Sequence, residues 1–221
     1  MPQSAPDNRS RQVALAALIR RARVIPVITI ERVEDAVPLA RALVAGGIDH
    51  VEITLRTAAA PAAAAAIRAN VPEAVLGIGT VLSPRDLDQA QELGARFALS
   101  PGITPELLDA AANRGLPFVP GISTPSELMA AMARGFDVVK FFPATASGGM
   151  AAVKALAGPF PQVRFCPTGG ISEDNFTDWL HLPNVIAVGG TWLAPAEEIR
   201  TGAWLTITDR ARRALAKLGQ G

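Results

Sequence analysis

Short β-branched, apolar segments alternate with alanine-rich amphipathic segments along almost the whole chain. The strand-like segments are residues 24–30, 50–55, 75–81, 96–100, 117–120, 138–142, 163–167 and 185–188. The helix-like segments between them are residues 33–45, 58–69, 84–93, 105–113, 125–133, 150–156 and 173–180. Because strands and helices alternate in this way, we predict a parallel sheet covered by helices.

The number of strand–helix units narrows the choice of fold. Eight units occur, and their strands start twenty to twenty-six residues apart. This number favours an α/β fold of the (β/α)8 TIM barrel type over an open sheet. An open six-stranded sheet is the alternative if residues 117–120 and 185–188 are not strands. No Gly-x-Gly-x-x-Gly motif follows the first strand, which argues against a dinucleotide-binding fold.

Three helix starts carry a clear local signal. Ser83, Thr104 and Thr124 each precede a proline at the start of a helix-like segment. A side-chain hydroxyl at the N-cap and a proline at the first helical position are both favoured at helix starts. We expect helices to begin at these three places.

Two further helix-like segments, residues 12–23 and 204–218, flank the repeats. The first suits a plug over the amino-terminal mouth of the barrel. We expect residues 1–10, which are polar and contain prolines, to form a flexible N-terminal tail. Residues 11–221 are then a single barrel domain with an extra N-terminal helix.

Composition excludes several classes of function. The formal net charge of +1 provides no broad basic surface for nucleic acid or an acidic membrane. No apolar run reaches the ~20 residues of a membrane-spanning helix, and the chain does not begin like a signal peptide. The one cysteine, Cys166, forms no internal disulfide, so we expect a cytoplasmic protein. His50 and His181 lie far apart, and their spacing does not suggest a metal site.

Lys140 is the first candidate catalytic residue. Only three of the 21 basic side chains are lysines, and Lys140 alone lies in a strand-like segment, VVKFF at 138–142. Alternate residues of a barrel strand point inward. A desolvated interior disfavours the ammonium and raises the neutral, nucleophilic fraction of a lysine. The alternative is a lysine that reaches solvent or pairs with a carboxylate.

The second strand brings further polar groups to the same interior. In VEITLR at 51–56 the odd positions are apolar and the even positions are polar. A period of two places Glu52, Thr54 and Arg56 on one face. Since the outer face of a barrel strand packs against helices, the polar face points inward, towards Lys140.

Lys140, Glu52 and Arg56 together suit an aldolase that acts on 2-oxo acids. The lysine amine condenses with a keto group, and the iminium withdraws electrons from the adjacent carbon. The glutamate moves protons, and the arginine holds a substrate carboxylate at two points. The alternative is a structural network of three charged side chains in the core.

Two glycine pairs predict a phosphate site. The segment PTGGIS at 167–172 closes the seventh predicted strand, and VGGTW at 188–192 closes the eighth. Exposed backbone amides bind anions, and the loops after strands seven and eight often hold phosphate in barrels.

At these residues the chain resembles a known family. The motifs are VEITLRT at 51–57, GTV at 79–81, SPG at 100–102, PGIST at 120–124, KFFP at 140–143 and CPTGGI at 166–171. They resemble the 2-dehydro-3-deoxy-6-phosphogluconate (KDPG) aldolases, the class I enzymes of the Entner–Doudoroff pathway, which are related to 4-hydroxy-2-oxoglutarate (KHG) aldolases. The similarity runs from about residue 23 to the C-terminus.

The resemblance implies a role for each matching residue. Lys140 corresponds to the Schiff-base lysine and Glu52 to the general acid and base. The remaining matches are residues that bind substrate: Arg56, Thr80, Pro101, Phe142 and Thr168 for pyruvate, its carboxylate and the substrate hydroxyls, and Gly169, Gly170, Gly190 and Thr191 for phosphate.

The resemblance also implies substrates and assembly. The expected reaction joins pyruvate reversibly to a phosphorylated aldehyde, without a cofactor or a metal, in a homotrimer. Thr191 departs from the family pattern, in which we expect serine. Threonine keeps the hydroxyl and adds a methyl group, and the sequence does not determine how this changes the affinity for phosphate.

Other activities compete with this interpretation. One is cleavage of 4-hydroxy-2-oxoglutarate to pyruvate and glyoxylate, and another is cleavage of the galactonate-derived epimer. A phosphosugar epimerase or isomerase on the same barrel would normally lack a lysine beside two phenylalanines. A non-catalytic barrel would have no reason to keep costly polar groups on an inward face.

Overall fold

The computed structural model describes residues 8–219, in which strands and helices alternate. The strands are β1 Val24–Ile28, β2 His50–Thr54, β3 Val75–Gly79, β4 Phe97–Leu99, β5 Phe118–Val119, β6 Gly121–Ile122, β7 Val138–Phe141, β8 Arg164–Pro167 and β9 Val188–Gly190. The helices are α1 Asn8–Ala22, α2 Ala36–Ala45, α3 Ala60–Asn70, α4 Pro84–Glu92, α5 Pro105–Asn113, α6 Pro125–Met132, α7 Gly149–Leu156, α8 Phe176–Leu180, α9 Ala196–Arg200 and α10 Trp204–Leu218. A 3-10 turn, Val33–Asp35, precedes α2.

Every strand pair in the described part of the chain is parallel, as predicted. One curled sheet has the strand order β5-β4-β3-β2-β1-β9, and a second has the order β6-β7-β8. Pro120 alone separates β5 from β6. Isolated bridges from Phe165 to Val185 and from Thr168 to Gly189 connect β8 to the region of β9. The α/β class is confirmed.

The strands divide the apolar core into two parts. Val51 and Ile53 of β2 belong to the large cluster that the strands form with the surrounding helices. A second cluster contains Val138 of β7 and Cys166 of β8, together with Leu15 of α1. The first cluster lies on the helix-covered face of the strands, and the second fills the concave face.

Helix α1 closes the amino-terminal ends of the strands. Its Gln12 side chain, only 1% exposed, donates to the carbonyl of Phe118 at 3.3 Å. The same side chain accepts from the backbone N–H of Val138 at 3.0 Å. Because Phe118 belongs to the first sheet and Val138 to the second, one buried amide joins the two sheets. This is the position that the sequence predicts for a plug.

Three predicted boundaries need correction. Helix α1 begins at Asn8, so residues 8–10 are not part of a flexible tail; the Asn8 side chain donates to the carbonyl of Arg134 at 2.7 Å. The rest of the predicted tail lies outside the described residues. The predicted strand 117–120 is shorter, because Pro120 has no N–H to continue the ladder. Helix α9 was not predicted, and the last strand lies at Val188–Gly190 rather than 185–188.

The three predicted helix starts are confirmed. Ser83 accepts from the N–H of Asp86, and Thr124 accepts from the N–H of Glu127, each in a reciprocal capping box. Thr104 accepts from the N–H of Leu107. No helix within residues 8–219 is long and apolar enough to cross a membrane.

His50, at the start of β2, is a fully buried titratable group. Its side chain is 0% exposed, its ring lies 6.3 Å from that of Phe97, and its Nδ1 bonds to Asp49. Within the described residues, its Nε2 has no hydrogen-bond partner. Burial lowers the pKa of His50 below its ordinary value, although the Asp49 carboxylate acts in the opposite direction.

We predict that His50 makes the fold sensitive to acid. With a pKa below that of the unfolded chain, His50 contributes stability that is complete above about pH 6.5, the unfolded value, and that is lost as the pH falls from there through the lower pKa of the folded state. The free energy of unfolding, measured with urea at pH 7 and pH 5, should fall more in the wild type than in His50→Leu. The exposed His181 provides the control His181→Gln. Equal losses in the wild type and His50→Leu would contradict the prediction.

Candidate active site

The centre of the candidate site is a buried ion pair between β7 and β2. Lys140 Nζ lies 3.1 Å from Glu52 Oε1, and the two side chains are 3% and 1% exposed. Both residues were predicted to point inward, and the structure places them together. Of the three lysines, only Lys140 is buried. A primary amine therefore lies in hydrogen-bond contact with a carboxylate in an apolar interior.

Glu52 fits because β3 has glycine where a side chain would collide. Gly79 lies beside Glu52, and a Cβ built on Gly79 would be only 2.0 Å from Glu52 Oε1. Gly77 gives similar room to the ring of Phe97. The absence of a side chain at Gly79 creates the space that the carboxylate occupies.

Thr54 shares the inward face with Glu52, as the alternation in β2 predicts. Its hydroxyl donates to the carbonyl of Ile28 at 2.9 Å and lies 3.2 Å from the hydroxyl of Thr29. The hydroxyl thus ties β2 to the end of β1.

Arg56 and Thr80 lie at the rim, just beyond the carboxyl ends of β2 and β3. Arg56 Nε donates to Thr80 Oγ1 at 3.0 Å. Thr80 has a φ of 59°, a left-handed conformation that is rare for a β-branched residue. The guanidinium is thereby oriented while the rest of its fork stays exposed, which suits binding of a carboxylate.

A cavity of about 140 Å³ adjoins this rim. It brings together seven of the predicted binding residues with two others: Arg56, Phe142, Thr168, Gly169, Gly170, Gly190 and Thr191, with Val27 and Ile171. Gly169 and Gly170 of the first predicted pair and Gly190 of the second therefore face one space, although they lie at the ends of different strands.

Backbone conformation and lack of space both explain why glycine occupies these positions in the cavity wall. Gly169 and Gly170 have φ values of 97° and 77°, which disfavour any side chain. A Cβ on Gly170 would also collide with the Thr145 hydroxyl at 2.2 Å. Successive backbone N–H groups in a turn can form a concave anion site.

Phe142 and Pro101 complete the surroundings of the lysine. Lys140 Nζ lies 5.5 Å from the centroid of the Phe142 ring. Pro101 does not line the cavity; its backbone lies against Gly121, which is the register partner of Lys140. The structure therefore places Pro101 on the lysine side of the site.

Cys166 is part of the core and has no free reactive thiolate. It is 1% exposed and is the register partner of Lys140 on β8. Burial raises the pKa of its thiol to about 12. The sequence interpretation of Cys166 as buried filler agrees with this environment.

The sequence patterns assign no individual role to three residues that shape the site. Val27 and Ile171 line the cavity, and Gly79 makes room for Glu52. A useful signal was available for Gly79, because β2 and β3 are consecutive strands and a glycine can face a bulky polar residue across such a pair. Among residues 8–219, no group of three His, Cys, Asp or Glu side chains is placed to hold a metal ion.

The fold and the site define a class of protein: a parallel α/β protein with a buried lysine–glutamate pair beside a glycine-lined cavity at the carboxyl ends of its strands. Residues 15–210 match the family described as "Aldolase: KDPG and KHG aldolase", and the chain belongs to this family. The resemblance predicted from the sequence is confirmed.

Relatives of known name agree with this membership. The chain is 53% identical to the KHG/KDPG aldolase of Escherichia coli K12 over 192 residues, which cover 87% of this chain and 90% of the relative. It is 46% identical to the 2-dehydro-3-deoxy-phosphogluconate aldolase of Pseudomonas aeruginosa over 203 residues, covering 92% of each.

Solved structures agree as well. A KDPG aldolase from Legionella pneumophila, with pyruvate captured as a covalent carbinolamine, is similar with a TM-score of 0.88 and 46% identity, covering 90% of this chain and 97% of that one. A Zymomonas mobilis KDPG aldolase with 3-phosphoglycerate has a TM-score of 0.86 and 42% identity, covering 92% and 95%.

We predict that Gly79→Ala displaces the Glu52 carboxylate. The new Cβ has no space beside Oε1, so the carboxylate must move away from Lys140 Nζ. A displacement of about 1 Å in a catalytic group costs about 100-fold in rate, and we expect a loss of turnover of this size. The control is Gly115→Ala, where a Cβ meets nothing within 4 Å. Near-normal turnover of Gly79→Ala would show that the position of Glu52 is unimportant.

Proposed function

We propose that the chain is a class I aldolase that reversibly cleaves 2-dehydro-3-deoxy-6-phosphogluconate to pyruvate and D-glyceraldehyde 3-phosphate. The observation that carries the proposal is the buried contact of 3.1 Å between Lys140 Nζ and Glu52 Oε1, next to the glycine-lined cavity. The covalent carbinolamine of the Legionella relative supports the Schiff-base chemistry, and the names of the relatives support the substrate.

The reaction starts at Lys140. Glu52 takes a proton from Lys140, and the neutral amine attacks the C2 carbonyl of the substrate. Glu52 returns this proton to the carbinolamine hydroxyl, which leaves as water and gives an iminium. Glu52, again a carboxylate, takes the proton of the C4 hydroxyl while the C3–C4 bond breaks, and the bonding electrons flow into the iminium. The aldehyde leaves, Glu52 gives its proton to C3 of the resulting enamine, and water releases pyruvate and the free amine. Since the iminium itself accepts the electrons, the step needs neither a cofactor nor a metal.

The two ends of the substrate match two parts of the site. Arg56, oriented by Thr80, holds the carboxylate next to the keto group, and Phe142 and Pro101 border the reacting carbons. Thr168 lies 5% exposed between these groups and the glycines, where it contacts a substrate hydroxyl. The phosphate of the aldehyde half binds at the backbone of four residues, Gly169, Gly170, Gly190 and Thr191.

We also propose that the two sheets form one closed (β/α)8 barrel, which α1 joins to make a single domain. The support is the separation of β5 and β6 by Pro120 alone, the bridges from β8 to the region of β9, and the amide of Gln12 that connects both sheets. A homotrimer and a cytoplasmic location follow from the family resemblance and from the soluble metabolites that the reaction uses.

Borohydride trapping tests the chemistry directly. With pyruvate and borohydride, we expect one stable adduct, which peptide mapping places on Lys140. The exposed Lys154 is an internal control, because it has the same amine without the buried carboxylate. Lys140→Ala should retain the fold, lose the adduct and lose turnover. An adduct on Lys154 or Lys217 instead, or turnover by Lys140→Ala, would refute the mechanism.

The ratio of two activities tests the substrate. The glycine-lined cavity predicts a higher kcat/KM for the phosphorylated substrate than for 4-hydroxy-2-oxoglutarate. The second substrate is the alternative, favoured by the double name of the Escherichia coli relative. The same ratio, measured for Thr191→Ser, tests the effect of the methyl group on phosphate binding, since this variant keeps the hydroxyl and removes only the methyl group. A ratio in favour of 4-hydroxy-2-oxoglutarate would assign the cavity to a carboxylate.

A further inference from the structure

Trp192 has a place in the site that none of the roles above describes. Its ring stacks on that of Phe176, with centroids 5.7 Å apart and an interplanar angle of 30°. Trp192 directly follows Gly190 and Thr191, while Phe176 begins α8, the helix after Gly169 and Gly170. One pair of aromatic rings therefore connects the two chain segments that leave the glycine loops of the cavity.

The Trp192 ring also limits the position of Gly190. A Cβ built on Gly190 would lie 1.9 Å from the six-membered ring of Trp192. The indole thus lies directly against the Gly190 Cα, where no side chain fits. Because Gly190 lines the cavity, a movement of the ring moves the cavity wall.

The other loop is held from the Phe176 side. Asn175, the residue before Phe176, donates through Nδ2 to the carbonyl of Gly170 at 3.1 Å. Asn175 Oδ1 accepts from the N–H of Ser172 at 2.9 Å. Phe176 itself is 0% exposed and has little freedom to move. The position of this ring is therefore transmitted to the second wall of the cavity through one residue.

Among the described residues, the indole N–H of Trp192 makes no hydrogen bond that would account for a tryptophan at this position. Within residues 8–219 the Trp192 Nε1 atom is buried and has no hydrogen-bond partner. An unpaired buried donor destabilises the fold. The contribution of Trp192 therefore lies in the contacts of its ring with Gly190 and Phe176.

We propose that Trp192 and Phe176 are positioning residues that set the distance between the two glycine loops and so determine the affinity for the phosphate group of the substrate. The proposal rests on the proposed function, because it takes the cavity to be the phosphate site. The ring that lies over Lys140 Nζ is that of Phe142, and the contacts of Trp192 and Phe176 are with each other and with Gly190. Their effect is on binding of the phosphorylated end alone.

The test compares two substrates in two variants, Trp192→Leu and Phe176→Leu. Loss of the stack should raise the KM for the phosphorylated substrate about fivefold or more, with kcat changed less than about twofold. The KM for pyruvate in the condensation direction, which has no group for this cavity, should stay within about twofold of the wild type. An equal rise for both substrates, or no rise for either, would overturn the proposal.

The matched control is Trp179→Leu. Trp179 is also on α8, is 3% exposed, and stacks on neither Trp192 nor Phe176. This variant loses a buried indole and should lower the melting temperature without changing the ratio of the two KM values. If Trp192→Leu does not fold, Trp192→Phe replaces it and should raise the same KM by a smaller factor. If the KM for the phosphorylated substrate rises as much in Trp179→Leu as in Trp192→Leu, the effect is general destabilisation and the proposal is wrong.

Inorganic phosphate gives a readout that does not depend on turnover. Phosphate should raise the melting temperature of the wild type, and this shift should be smaller in Trp192→Leu. If the wild type forms no pyruvate adduct on Lys140 but shows the shift, the proposed function fails and the positioning role stands. If phosphate shifts the wild type and Trp192→Leu equally, or neither of them, the positioning role fails whatever the enzyme cleaves.

Discussion

The ion pair between Lys140 and Glu52 is the interaction on which the rest of the site depends. Two opposite charges lie at 3.1 Å in an interior that is filled mainly by apolar side chains. Burial costs several kcal/mol for each ion, and mutual attraction recovers only part of this. The pair is therefore a poor source of stability. On the proposed function its value is chemical, since it holds an amine and a proton acceptor in contact before any substrate arrives.

Such a pair requires space, and the neighbouring strands provide it by omitting side chains. Gly79 yields its Cβ position to the Glu52 carboxylate, and Gly121 lets the backbone of Pro101 approach the strand next to Lys140. The glycines are thus complementary to particular bulky groups, and each is fixed by what lies opposite. A larger residue at Gly79 would displace the Glu52 carboxylate, whereas at Gly121 it would collide with the backbone of Ser100 and Pro101.

The sequence predicts these features unequally, for a physical reason. The alternation in β2 depends only on the period of two, so the inward positions of Glu52 and Thr54 are readable from a few residues. Local caps such as Ser83 are readable for the same reason. The start of α1 is not, because Asn8 is held by the carbonyl of Arg134, 126 residues away. The contacts of Trp192 with Gly190 and Phe176 are not readable either, since they exist only in the folded chain.

The amino and carboxyl ends of the strands differ in packing and in backbone conformation. At the amino ends, Gln12 joins the two sheets and His50 is sealed below α1, so side chains there are buried and hydrogen-bonded for stability. At the carboxyl ends, Thr80 keeps a left-handed backbone that orients Arg56, and Gly169 needs a positive φ. Strained backbone of this kind persists only where the surrounding structure enforces it. The well-packed amino end is therefore a condition for the strained, open end at which the chemistry takes place.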